Sequence, residues 1–343
     1  MFDRIKMTIK HTAVYSLGNI AIRLIGLILL PLYTSRLTLA DYGILGILEV
    51  TVMLLVQGLI FGQAQSFLRF YGVEDYHQER KQILFTLMVF LTGIGGILVV
   101  TAQMASRPLA LLFFEDAHLD IYFKLVFYQI ALQIINTLFL SVLRAQEKSV
   151  FYSTVLGLKL LMVLSLNIIL LIRYDMGVQG ILAANLVGEG VLMICLLPSM
   201  IRNMQGHFLS GRLKESLIFG APLIFSALSH MLLNVGDRYL LKLFVDYNQL
   251  GLYNLGYKVG GTLNLLLVQS FQLGLLPIAY KVYGQANDKR FYSKLLTYFL
   301  YVLVWAGLAL AVLSKEVITA FARDPSYWPA YPLVPLKVRV ELA

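Results

Sequence analysis

A chain of 343 residues that is 59% hydrophobic and only 14% charged has too little polar surface for a soluble domain, in which about a quarter of residues are charged. The formal net charge of +9 raises nucleic acid as a partner, but the positive residues are scattered between apolar runs as membrane topology would place them, so no nucleic-acid partner is expected. The single cysteine, Cys195, excludes an internal disulfide.

Apolar runs of roughly 20 residues recur, each long enough to cross a ~30 Å hydrocarbon core. They are continuous rather than alternating, which favours helices over a transmembrane barrel. The predicted fold class is therefore an all-α polytopic membrane protein in a lipid bilayer. The basic start MFDRIKMTIKH leads into a first apolar segment, 12–35, that outlasts a signal-peptide core and reads as an uncleaved helix. Further spans are predicted at 43–69, 82–104, 119–143, 151–173, 177–200, 214–243, 250–280 and 291–313, nine in all. Linkers are short, which leaves little room for a soluble domain.

Loop charges orient the chain. With the N-terminus cytoplasmic, most Lys and Arg lie inside, in the stretches 4–10, 69–81, 144–148, 202–214 and 281–294. The outside loops carry only Arg36, Arg107, Arg173, Lys242, Lys315 and Arg323.

A weak internal repeat accompanies this topology. LTLADYGILGILEV (37–50) and FVDYNQLGLYNLGYKVG (244–260) each place an acidic-tyrosine pair before a glycine that opens an apolar helix. YHQERKQILFTL (76–87) and GQANDKRFYSKLL (284–296) each lead a basic cluster into a span. The offset of 208–212 residues covers six helices, so both copies share one orientation, the parallel type of transporter repeat. Any two loop–helix junctions can also look alike.

Several helices carry polar stripes. At ~100° per residue, Thr12, Ser16, Asn19 and Arg23 share one arc. Ser226, His230, Asn234 and Asp237 share another, and Asn254, Lys258, Gly261, Gln269 and Gln272 a third. Gln129, Gln133 and Asn136 lie on the fourth span. Interhelical hydrogen bonding explains any single such residue; one-sided stripes on three helices fit a wet cavity better, lined by Asn19, His230, Asn234, Asn254, Gln269 and Gln272.

Ionisable residues within or near spans are Arg23, Glu49, Lys159, Glu189, Asp237, Arg238 and Lys258. At a helix centre each costs roughly 2.5–3.5 kcal/mol, and such residues commonly mark a pathway, relay or counter-ion. Lys159 has no polar stripe and reads as a snorkelling lysine. Asp237 and Arg238 are open to snorkelling or a structural ion pair, whereas Arg23 and Lys258 sit on polar stripes. His11, His77, His118, His207 and His230 lack metal-ligand spacing, and GxSxG, P-loop and GxGxxG motifs are absent. No cofactor or metal is expected, and uphill transport would need an ion gradient, H+ or Na+, or a partner.

The stretches GNIAIRLIGLILLPLYTSRLTLADYGILGILEV (18–50), FGAPLIFSALSHMLLNVGDRYLLKLFVDYNQLGLYNLGYKVG (219–260) and DPSYWPAYPLVPL (324–336) resemble the polysaccharide flippase family, the Wzx-like O-antigen translocases of the multidrug/oligosaccharidyl-lipid/polysaccharide exporter superfamily. The resemblance implies two six-helix lobes that alternate between inward-open and outward-open states. It implies an undecaprenyl-pyrophosphate-linked oligosaccharide as substrate, turned to the periplasmic leaflet of the bacterial inner membrane for O-antigen, capsule or exopolysaccharide. Other polysaccharide assembly proteins are implied partners. Arg23, Arg238 and Lys258 would receive the anionic carrier, and Glu49 and Asp237 would exchange the coupling ion. The family has twelve or more helices, and KVRVELA (337–343) is too short and charged to cross. The chain is therefore expected to be C-terminally truncated, with a six-helix lobe at 1–205 and an incomplete second lobe at 206–343.

Three other readings compete. A drug antiporter keeps the fold, but cationic drugs would prefer an acidic cavity. An enzyme, such as a membrane polymerase or ligase, would need a sizeable reactive outward loop, and MASRPLALLFFEDAHLD (104–120) is short and largely apolar. The last is an inactive truncated remnant.

Overall fold

The structure is a computed structural model that describes residues 26–269, 271 and 288–342. Among these, regular structure is helical throughout, and seven helices are long and apolar enough to cross a membrane. Each of the seven answers one predicted span. The other two, 12–35 and 250–280, fall partly outside the described residues.

The helices are α1 (Leu30–Arg36), α2 (Leu39–Leu59), α3 (Gln63–Gly72), α4 (Arg80–Phe114), α5 (Asp120–Ala145), α6 (Ser149–Ile172) and α7 (Gly177–Asn203). They continue as α8 (Ser210–Val235), α9 (Asp237–Lys242), α10 (Tyr247–Gly260), α11 (Asp288–Val312), α12 (Ser314–Phe321) and α13 (Leu333–Leu342). A π turn at Asn264–Val268 follows α10.

Three predicted boundaries need correction. The span 43–69 is two helices, because Phe61 and Gly62 both adopt left-handed backbone (φ 49° and 65°). Gly62 is required there: a Cβ would lie 2.8 Å from the Cα of Gly220, so α8 meets the start of α3 backbone to backbone. The span 214–243 divides at Gly236 into α8 and α9. The stretch 104–120, read as an outward loop, is helical to Phe114 despite Pro108. Its last turn is held by aromatic packing, with Phe114 stacked on Phe123 at 5.4 Å and Phe113 tilted against it at 5.8 Å. Glu115, with φ 58°, ends it.

The chain forms two compact units, Ile44–Phe244 and Met1–Gly43 with Val245–Ala343. In the first, α4 packs along α5, α6 along α7 and α5 along α7, while α3 contacts both α5 and α8. Phe67, Phe70, Leu87, Leu91, Ile130 and Ile134 form its interior. Ile97, Val100, Met104, Leu161 and Ile194 point outward and are exposed, as a lipid-facing surface requires. The loops at 73–79, 146–148 and 204–209 gather at one end. The Gln205 amide donates to Lys81 O (3.3 Å), Leu209 N to Thr86 Oγ1 (2.9 Å), and Gln146 Nε2 to Asn203 Oδ1 (2.6 Å).

In the second unit, α10 packs against α13 and against the tight turn at Pro325–Ala330, and α11 also packs on α13. Here the internal repeat becomes geometry. A Cβ on Gly43 would fall 2.2 Å from Tyr247 O, and one on Gly251 would fall 2.1 Å from Leu39 O. Each contact becomes the other when 39 is exchanged with 247 and 43 with 251. The two repeat glycines therefore pack α2 and α10 as a self-complementary pair, the local form of a two-fold interface. Of the tail read as non-spanning, residues 337–342 belong to the ten-residue helix α13, about 15 Å long at 1.5 Å per residue.

Candidate functional site

The polar face of α10 is the centre of the candidate site. Asp246 caps this helix by accepting from Gln249 N at 2.9 Å. Two turns on, Asn254 is 5% exposed, and neither its amide nitrogen nor its amide oxygen is hydrogen-bonded. A buried polar group left unmade costs about 1–3 kcal/mol, so this amide needs an explanation other than packing. One turn further, Lys258 is half-buried, with Nζ 5.7 Å from the ring centroid of Tyr42, inside cation–π range. Gly26 lies against the same lysine: a Cβ there would be 3.1 Å from Lys258 Cε.

Tyr42 is positioned from behind. Tyr327 meets it edge-on at 5.7 Å and is itself fully buried. Its hydroxyl donates to Leu37 O at 3.0 Å and to Thr38 O at 2.9 Å. Burial pushes this phenol well above the ordinary tyrosine range, and Tyr42 and Asp41 act in the same sense, so it remains a donor. Asp324 fixes the turn that carries it by accepting from Ser326 N at 2.8 Å. The family-like stretch 324–336 thus buttresses the Tyr42–Lys258 pair.

Arg23, Asn19 and Gln272 lie outside the described residues. Gln269 is described, and the π turn places it differently from the single-arc expectation. A π turn lets the chain gain a residue per turn, so the 100° register ends there. Gln269 Nε2 donates to Asn264 Oδ1 (2.9 Å), and Asn264 Nδ2 donates to Glu341 Oε2 (2.8 Å). Glu341 also takes Lys337 Nζ at 2.8 Å, and that ammonium lies 4.0 Å from the Tyr257 ring centroid. Sequence reasoning missed this cluster because the tail looked like a charged end rather than a helix with a buried lysine.

In the other unit, Glu49 is half-buried on α2, and Asp237 and Arg238 are half-buried in the first turn of α9. Tyr239 ties α9 down, its hydroxyl 2.5 Å from Thr51 Oγ1 and its ring 6.5 Å from Phe113. His230 and Asn234 are neighbours on α8, with Asn234 Nδ2 3.3 Å from His230 Nε2 and 2.7 Å from His230 O. His230 opens into a cavity of about 320 Å³ lined also by Gln57, Gln65, Ser226, Leu223 and Ile224. Its hydroxyl, amides and imidazole offer hydrogen-bond donors and acceptors beside apolar surface. Gln57 was missed because it stands alone in an apolar stretch, and Gln65 because it lies in a mixed stretch with Gln63 and Ser66 that shows no one-sided stripe.

Lys159, read as snorkelling, instead points inward. Its Nζ pairs with Glu189 Oε1 at 2.5 Å. Asn136 Nδ2 donates to Glu189 Oε2 at 2.8 Å and to Glu189 O at 3.0 Å. Glu189 is 2% exposed. Gly188 makes the approach possible, since a Cβ would fall 2.4 Å from Val163 Cγ2. Among the described residues no group of three or more His, Cys, Asp or Glu is placed to hold a metal ion.

This architecture is that of known membrane transporters. A mutant form of the Vibrio cholerae MATE transporter VcmN superposes with a TM-score of 0.67 at 16% identity, over 97% of this chain and 80% of the other. An outward-facing multidrug resistance MATE family transporter of the MOP superfamily gives 0.66 at 14%, over 96% and 78%. The MATE multidrug transporter DinF-BH gives 0.63 at 15%, over 93% and 75%. At these identities the likeness establishes the fold. No curated protein matches the sequence. The family model described as polysaccharide biosynthesis protein does match, over residues 8–282, and the chain therefore belongs to that family, the Wzx-like polysaccharide flippases, as a multi-pass membrane protein with the MATE-like fold.

Proposed function

We propose that this protein is an inner-membrane flippase. It moves undecaprenyl-pyrophosphate-linked oligosaccharides from the cytoplasmic to the periplasmic leaflet, for O-antigen, capsule or exopolysaccharide assembly. Lys258 beside the buried, unpaired amide of Asn254 is the observation that carries the reading. An ammonium supplies charge for pyrophosphate, and an unsatisfied amide supplies hydrogen-bonding capacity for a ligand. The reading also takes Arg23 and Arg238 as residues that receive the anionic carrier and, within the Ile44–Phe244 unit, the His230 cavity as a candidate place for the glycan. In this reading the chain divides near residue 205 into two lobes, Glu49 or Asp237 takes the coupling ion, H+ or Na+, and other polysaccharide assembly proteins are its partners. The positive residues at the helix ends beside the gathered loops, Arg69, Arg80, Lys81, Arg144, Arg202 and Lys214, support a cytoplasmic N-terminus in this reading.

The test separates ligand from structure. Asn254→Leu removes an unsatisfied group at similar volume, so stability should hold or rise, while surface glycan in a flippase-deficient strain falls. Lys258→Ala should lower export at normal abundance, and Lys258→Arg should keep part of it because the charge survives. Normal export by the Arg23→Ala, Lys258→Ala variant at normal abundance would reject the reading. A drug antiporter remains the second reading, favoured by the MATE-like fold, and drug efflux from vesicles without glycan export would select it.

A further inference from the structure

The loop-rich end of Ile44–Phe244 carries a charged arrangement that the Lys258 site does not use. Tyr76 Oη donates to Glu215 Oε1 at 2.6 Å. Arg212 donates through Nε to Glu79 Oε2 at 2.7 Å and through Nη1 to Glu215 Oε2 at 3.1 Å. Its guanidinium lies 4.8 Å from the Tyr76 ring centroid. These contacts fasten the loop between α3 and α4 to the first turns of α8. They also raise the pKa of Tyr76, chiefly through the hydrogen bond to Glu215.

Directly beside this lock is a cleft of about 420 Å³ lined by Arg69, Gly211, Lys214, Glu215, Ile218 and Phe219. Arg69 rests its guanidinium 4.7 Å from the Phe219 ring centroid. Among the described residues neither Arg69 nor Lys214 forms an ion pair, and both are exposed. The cleft thus presents two cations, an aromatic face and an apolar edge, with one carboxylate already engaged elsewhere. Glu215 belongs to both features: it lines the cleft and it holds the lock.

We infer that this cleft is a docking subsite for the pyrophosphate headgroup of the lipid-linked substrate, and that docking releases the lock. The inference rests on the flippase reading. A phosphate between Arg69 and Lys214 gains two charge-assisted contacts and brings like charge against Glu215. Repulsion of Glu215, and attraction of Arg212 toward the phosphate, both weaken the ties to Tyr76 and Glu79. Headgroup arrival and loosening of the 73–79 loop from α8 become one event, and the favoured state is set by the ligand's differential affinity.

The experiment uses the whole protein in nanodiscs with Cys195→Ser, spin-labelled at Asp75→Cys and Ser210→Cys. It is titrated with geranylgeranyl pyrophosphate and, separately, inorganic pyrophosphate. The prenyl pyrophosphate should bind and lengthen the label distance. Arg69→Ala with Lys214→Ala should weaken binding at least about tenfold and abolish the lengthening, and Arg69→Lys with Lys214→Arg should restore most of both. Glu215→Gln should lengthen the distance without ligand. Unchanged affinity in the double alanine variant would overturn the subsite, and an unchanged distance on binding would overturn its link to the lock. Equal affinity for inorganic pyrophosphate would overturn the lipid headgroup as occupant. Failure of the parent protein to bind any prenyl pyrophosphate would overturn the flippase reading itself. Binding lost in Lys258→Ala but kept in the double alanine variant would remove only this subsite.

Discussion

The paired glycines of the repeat give the sharpest test of the packing argument. The perturbation is Gly43→Ala, Gly251→Ala and both together. Each new Cβ would sit 2.2 or 2.1 Å from a backbone carbonyl oxygen, where ordinary contact begins near 3.4 Å. A carbonyl in a helix cannot rotate away, so α2 and α10 must part locally by roughly an ångström. A gap of that size forfeits a quarter to a half of each atom-pair attraction across it. Overpacking of this kind costs about 1–3 kcal/mol, and the rigid backbone places it at the upper end. The double variant should cost clearly less than the two singles combined, because helices already parted by one Cβ have room for the other. Gly93→Ala and Gly96→Ala on α4 are the controls: nothing lies within 4 Å of either Cβ, and helix propensity favours alanine by about 0.5–1 kcal/mol. Thermal unfolding in detergent, followed by loss of the monodisperse peak, reads all five variants. Equal Tm values for Gly43→Ala and Gly93→Ala, or strict additivity in the double variant, would refute the reasoning.

Two further outcomes follow from buried polar groups. Lys159→Met strands Glu189 among apolar helices and should destabilise by about 3–5 kcal/mol, whereas Lys159→Met with Glu189→Met should recover most of the loss; a double variant no more stable than the single in thermal unfolding would contradict this. Tyr327→Phe leaves Leu37 O without its donor, while Thr38 O keeps the Tyr42 amide at 3.0 Å, and should cost about 1–3 kcal/mol, read by the same unfolding assay. Since the Tyr327 pKa is raised on folding, the stability from its protonated form is complete below the ordinary tyrosine pKa and is lost only as pH rises through the raised value, so a Tm difference between parent and Tyr327→Phe that vanished on going from pH 7 to pH 9 would contradict the assignment.

Helix existence was legible from apolar run length, since each run must satisfy its own backbone in lipid. Helix ends were less so. Pro108 and the charges near it suggested a loop, yet Phe113 and Phe114 find Phe123, a contact that hydropathy does not register. The breaks at Gly62 and Gly236 are marked only by short polar runs, Gln63 to Ser66 and Asp237 with Arg238, which a window of about 19 residues averages into the apolar sequence around them. The left-handed turn at Phe61–Gly62 goes with a backbone approach from Gly220, more than 150 residues away. Lys159 looked solitary because periodicity compares residues on one helix, and its partner Glu189 is on another.

The satisfied and unsatisfied polar groups also separate support from site. Glu189 receives an ammonium on one oxygen and an amide on the other. Glu341 repeats that arrangement with Lys337 and Asn264. In both clusters a lysine and an asparagine complete a carboxylate within one compact unit, which leaves the carboxylate little capacity for a ligand, although Asn136 Oδ1 itself stays unmet. Asn254 is the opposite case: buried, on the same helix as Lys258, and with both amide atoms unmet. Evolutionary tolerance of that cost is easiest to understand if a substrate hydroxyl or phosphate oxygen meets the amide during transport. Asn254→Leu therefore divides the two roles in one substitution. A support residue would lose stability with it, and a ligand residue would keep stability and lose export.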